Sequence, residues 1–356
     1  MTRSAAGPAS TAGQHIVRLS GPQGIVAAIE HCLGFTPEES LVLVCLAAPR
    51  DRVGPVARID LPPPGYPDEA LLPMLECARR YADSAAIVCY HDGSRPGCID
   101  DLTRGLRDRG IPVVATLSVF AGRIHDARSA AASPGDGGVP LLPADDPRTT
   151  TLRSAALLAG RSPLPNRAAL AASIAPPSDC DDADMRRAIA TAAQKLAPVV
   201  SAAPGGRLTP GMVGYVDAAL TAVNSEYRTG RISAASAARA IAAVQHLPCR
   251  DLVIARTVDR CGDDFVGPAI AVAARCPDDW CADWCAVLAV AAYRSGDGAL
   301  AHCALDRTVA AAPRHRLAHL LRSSIDACIP PASLDVLALI PIPQAREISR
   351  DAGAAQ

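Results

Sequence analysis

The sequence predicts an α/β N-terminal domain, a mixed sheet covered by helices, followed by an all-α C-terminal helical domain with a tetratricopeptide-like hairpin. Three observations carry this prediction. Short apolar runs with strand character, LVLVCL at 41–46 and AAIVCY at 85–90, alternate with segments of helical period in the first part of the chain. After residue 184 every segment carries helical period and no strand signal competes. Between the two lies APPSDCDDAD, 175–184, whose composition is that of a linker. With 356 residues, 49% apolar and 20% charged, the chain has material for two cores.

The elements follow in order. Residues 1–15 are small and polar and read as a disordered tail. Ser20-Gly21-Pro22-Gln23 has the capping pattern of a helix start, and Ile25, Ile29 and Leu33 then form one stripe that Gly34 ends. Leu41–Leu46 reads as a strand buried on both faces, and 53–61 as a second strand returning after Arg50-Asp51. Pro62-Pro63-Pro64-Gly65 breaks the chain. A helix over 68–81, a strand over 85–90, a helix near 100–109 and a strand over 111–120 complete the α/β pattern of residues 16–174. The stretch 122–147, with SPGDGGVP, reads as mobile or extended loop, and 149–160 and 166–174 as short helices. The helical domain spans 185–340, with segments near 183–197, 210–226, 233–246, 249–260, 264–275, 280–294, 297–311, 314–328 and 332–339. Residues 341–356 read as a tail.

Composition closes several functional doors. A net charge of −1 and 3% aromatic residues argue against a nucleic-acid surface. Lys195 is the one lysine among 35 basic residues, so the chain has neither a phosphate-binding P-loop nor a kinase-type strand lysine. The N-terminus lacks the apolar core of a signal peptide, and no run is long enough to span a bilayer. Thirteen cysteines, with no Cys-x-x-Cys pair, read as reduced thiols of a cytoplasmic protein. No Gly-x-Ser-x-Gly or His-Glu-x-x-His occurs.

Three constellations remain. Asp60 closes the second strand and His91-Asp92 the third, so two carboxylates and an imidazole could hold a divalent metal or act as acid and base, with Arg58 and Arg95 clamping an anion. The same residues also fit plain turn chemistry, Asp92-Gly93 in particular. Cys281/Cys285 and His315/His319 are each four apart and could supply a tetrahedral zinc site from two helices; packed thiols and surface histidines are the alternative. GDGALA, 296–301, matches a dinucleotide fingerprint but follows a helix rather than a strand, so it reads as a helix–helix turn with Asp297 as cap. Trp284, that turn, Ala301, Leu305 and Pro313 give the tetratricopeptide-like hairpin.

The runs LSGPQGIVAAIEHCLGFTPEESLVLVCL, ARIDLPP, LLAGRSPLPNRAALAASIAP, CRDLVIAR and GDGALAHCALDRTVAAAPRHRLAHLL, in this order, resemble the DUF4192 family of actinobacterial proteins. The segment 122–147 departs from that family's pattern, having neither tryptophan nor cysteine. The resemblance implies fold and lineage and brings no activity or cofactor with it. The expected function is that of a non-catalytic cytoplasmic ligand-binding or scaffold protein, with a possible protein partner on the helical domain and no nucleic acid or membrane. The alternative is a metal-assisted hydrolase or transferase built on Asp60, His91 and Asp92.

Overall fold

The computed structural model describes residues 21–48, 52–93, 96–127, 138–143, 146–147, 150, 163–177, 182–202, 207–260 and 262–354. Helix α1 (Gly21–Leu33) ends where Gly34 turns to a φ of +73°, a conformation only glycine adopts cheaply. Strand β1 (Ser40–Ala47) follows, then β2 (Arg52–Asp60), a 3₁₀ turn leading into α2 (Leu72–Tyr81), β3 (Ser84–Tyr90), α3 (Cys98–Asp108) and β4 (Val113–Phe120). Two further strands, β5 (Arg123–Asp126) and β6 (Val139–Pro140), extend the sheet. This corrects the expectation of loop over 122–147, of which 128–137 and 144–145 lie outside the described residues. Four residues are too few to show a period, and only pairing with β4 makes β5 a strand.

The sheet runs β2-β1-β3-β4-β5-β6. Strand β1 is antiparallel to both β2 and β3, β3 and β4 are parallel, and β4-β5-β6 alternate. A bulge interrupts the β1–β2 register between Val44 and Leu46, and Gly54 lets the strands close there: a Cβ on it would lie 3.3 Å from the Cys45 carbonyl oxygen. Both faces of β1 and β3 are buried, and strict alternation splits them. Leu41, Leu43, Cys45, Ile87 and Cys89 face α2 and α3. Val42, Val44, Leu46, Val88 and Tyr90 face α1, as do Leu117, Val119 and Ile124.

The chain then returns beneath α1, where residues Phe35 and Leu164 form a parallel bridge. Helix α4 (Arg167–Ala172) is capped by Asn166, whose side chain accepts from the Ala169 N–H. The helical half comprises α5 (Ala183–Ser201), α6 (Pro210–Arg228), α7 (Ala234–Val244), α8 (Leu247–Arg260), α9 (Gly262–Ala273), α10 (Cys281–Arg294), α11 (Gly298–Ala311) and α12 (Arg316–Asp326). A 3₁₀ turn (Pro331–Ala338) leads to α13 (Pro341–Ala354), so the expected tail is a helix, and Ile342 and Ala345 are buried. Helix α5 begins inside the expected linker, at Ala183; 178–181 and the helix expected over 149–160 fall almost wholly outside the described residues.

The turn at 296–298 is as its sequence implies: Gly296 has a φ of +84°, and the Asp297 carboxylate accepts the Leu300 N–H at 2.9 Å. Trp284 in α10 is fully buried and donates its indole N–H to the Ala269 carbonyl at 3.0 Å. The α1 face of the sheet and the interior of the helical half form one continuous apolar core. Among the described residues, no helix is long and apolar enough to cross a membrane.

Candidate functional site

Because β1 opposes both neighbours, Ser40 pairs with Asp60 on one side and Tyr90 on the other. The carboxyl ends of β2, β3 and β4 therefore share one edge of the sheet, where open α/β sheets bind ligands. Asp60 and His91 reach that edge as expected, yet they do not meet. Asp60 and Arg58 share the α1 face with Ser40 and Val42, their register partners. The Asp60 carboxylate is exposed and pairs with the Arg58 guanidinium at 2.7 Å. Arg58 also donates from Nε to the Ser40 hydroxyl at 2.9 Å and lies over the Phe35 ring. Asp92 is exposed beside Glu39, whose carboxyl is pushed up by burial and by the Asp92 charge. His91 turns to the opposite face. The expected Asp60–His91–Asp92 constellation is thus not assembled, since side-chain alternation and the intervening strand β1 hold Asp60 away from the imidazole. Arg95 lies outside the described residues.

What gathers around His91 is a different set. On the α3 face of β4, Thr116, Ser118 and Phe120 alternate with the core residues Leu117 and Val119. Cys89 of β3 pairs in register with Ser118, and Ser118 with His125 of β5. These three side chains thus form one row across three strands. The Phe120 ring stacks on His125 with centroids 4.2 Å apart and meets His91 at 5.1 Å. Gly138 packs flat on His125, where a Cβ would lie 2.5 Å from the ring. At the other end of the row, the Cys89 thiol hydrogen-bonds that of Cys98, the first residue of α3. That bond, with the backbone N–H groups of the helix start, holds the Cys98 thiol below its ordinary value against burial.

Among the described residues, four polar atoms in this group are buried without a hydrogen-bond partner: His91 Nε2, Thr116 Oγ1, Ser118 Oγ and His125 Nε2. The Gly93 N–H donates to His91 Nδ1 at 3.3 Å, so a neutral His91 carries its proton on Nε2 and presents a buried donor. Burial lowers its pKa, His125 adds to that, and Asp92 opposes it. Side-chain polarity alone could have pointed here, since Thr116 and Ser118 are hydroxyls on alternate positions of an otherwise apolar strand. His125 lay in a stretch read as loop.

The proposed zinc ligands also separate. The Cys281 and Cys285 thiols bond each other, and Cys281 donates to the Asp278 carbonyl. His315 precedes α12 rather than lying on it: its Nδ1 caps the Ala318 N–H, and its Nε2 is 3.1 Å from Asp283. His319 Nε2 bonds the Pro313 carbonyl at 2.7 Å. Among the described residues, no group of three or more His, Cys, Asp or Glu side chains is placed to hold a metal ion.

A family model described as a domain of unknown function, DUF4192, matches residues 22–332. This chain belongs to the DUF4192 family. No curated protein and no solved structure matches it. For this DUF4192 chain the site therefore rests on its own geometry: strands β1–β5, helix α3 and the row Cys89, Ser118, His125 all fall within the matched residues.

Proposed function

We propose that this DUF4192 protein is a non-catalytic binding protein whose α/β half takes a small polar molecule against His91, Ser118, Thr116 and His125. One observation carries the reading: among the described residues, four buried polar atoms on the α3 face of the sheet, from His91 after β3, Thr116 and Ser118 of β4 and His125 of β5, have no hydrogen-bond partner. Each such group costs about 1–3 kcal/mol when left unmatched. A ligand offering an acceptor to His91 Nε2–H and complementary groups to the hydroxyls would recover part of that cost. The hydrolase or transferase reading loses support, because Asp60 lies on the other face of the sheet. On the helical half, Val336, Leu339 and Ile340 are exposed within five residues, which favours this surface for a protein partner. The cysteines, without a disulfide among the described residues, support a cytoplasmic setting.

The test is a thermal-shift series with nucleosides, free nucleobases, amino acids and monosaccharides, run on the native protein and on Thr116→Val/Ser118→Ala. The double substitution removes unmatched hydroxyls, so the ligand-free variant should melt at or above the native midpoint, while a compound that shifts the native protein should no longer shift the variant. A shift that survives unchanged in the variant would place the ligand elsewhere and end this reading.

A further inference from the structure

We infer that Cys328 is an oxidisable thiol that closes a disulfide onto Cys77 and so ties the helical half covalently to the α/β half. Three sulfurs meet where the two halves touch. Cys45 on β1 and Cys77 on α2 are buried, with their sulfurs 3.9 Å apart. Cys328 follows α12 and reaches across to them: its thiol bonds that of Cys77 and donates to the Pro73 carbonyl at 3.8 Å. Of the three, Cys328 is the one that retains solvent access.

The backbone around Cys328 is held from both sides. Tyr81 of α2 donates its hydroxyl to the Cys328 carbonyl at 2.8 Å, and Tyr293 of α10 donates to the next carbonyl, that of Ile329. Cys328 itself has a φ of +51°, which a residue with a Cβ adopts at a cost. The clamped segment therefore holds this thiol beside Cys77, against the Pro73 carbonyl of the same helix α2.

The co-reactant is a hydroperoxide. The Cys328 sulfur attacks the peroxide oxygen and becomes a sulfenic acid as one water (or alcohol) leaves. The Cys77 sulfur then attacks the sulfenic sulfur, expelling a second water and forming the S–S bond. Two thiols lose two electrons and two protons in all, and the peroxide is reduced by two electrons. The bond with Cys77 and burial raise the Cys328 pKa, so thiolate is scarce at neutral pH. The reaction consequently answers to sustained oxidant rather than to trace peroxide.

The experiment treats the full chain with excess hydrogen peroxide, quenches with an alkylating reagent, and maps linked peptides by mass spectrometry. The expected first linkage joins 77 to 328. It should be accompanied by faster migration on a non-reducing gel and by a higher Tm that reductant reverses. Cys45→Ser should keep the linkage, and Cys77→Ser should leave Cys328 as a sulfenic acid that dimedone traps. If Cys45 and Cys77 link first, or if Cys328 stays reduced while other cysteines oxidise, the inference is overturned.

Discussion

A buried imidazole resists protonation because its charged form loses water, and His91 is held below its ordinary value of 6.5 chiefly for that reason. The sign follows from linkage. In the unfolded chain His91 takes up a proton at a higher pH than in the fold, so its contribution to stability is full above about pH 6.5 and is lost as pH falls through that region. The native Tm should therefore drop between pH 7.5 and 5.5, and His91→Gln should flatten that part of the curve. An unaltered profile in the variant would mean that the imidazole is solvated. The neighbouring residues show how chemistry and position diverge. Asp60 ends β2 and His91 and Asp92 directly follow β3, and their types suit a metal or an acid–base pair. One of the three turns inward, while Asp60 pairs with Arg58 and Asp92 faces water.

At the scale of elements, β4 and the α8–α10–α12 junction behave oppositely. Strand β4 carries hydroxyls into a buried face and, among the described residues, leaves them unmatched. The junction matches its polar groups. Asp283 of α10 accepts from Arg250 of α8 at 2.9 Å and lies 3.1 Å from His315 at the start of α12. Burial pushes the Asp283 carboxyl up, but the His315 and Arg250 hydrogen bonds and charges together hold it below its ordinary 3.8. Its stabilisation is present above that pH and is lost as pH falls through the lower folded value. Acid unfolding followed by circular dichroism should begin at a higher pH in Asp283→Ala, and the variant should already be less stable at neutral pH, since Arg250 is only 16% exposed and would lose a partner. Coincident acid transitions would show that the junction does not hold the helices.

For the whole molecule, the controlling feature is the continuous core from the α1 face of the sheet through the helical half. Polar ties cross the same seam: Arg167 pairs with Asp306 at 2.7 Å, and Arg307 donates to the Ala273 carbonyl and to that of Ile174. The shared core is expected to couple the unfolding of the two halves. Both tryptophans, Trp280 and Trp284, lie in the helical half, so denaturant curves read by tryptophan fluorescence and by far-ultraviolet circular dichroism should coincide. Two separate midpoints would show independent halves.

Much of this architecture was already legible in the residues. The alternation of apolar strands with helical segments, the stop at Gly34, the Asp297 cap and the helical period after residue 184 each depend on residues within a turn or two of one another, where propensity and steric rules act directly. The family match over 22–332 agrees with the motifs read from the chain. Other features depended on partners far away in sequence. Strand β5 exists because β4 pairs with it, and Ile342 anchors the last helix only because the core leaves room for it. The row Cys89, Ser118, His125 spans three strands, and Cys77 meets Cys328 across most of the chain. Which edge β1 pairs along, and which face each alternate side chain then takes, is settled by burial of whole surfaces rather than by any local preference. Local chemistry therefore determined the elements and their order, while the packing of distant surfaces decided where the polar atoms were left without partners.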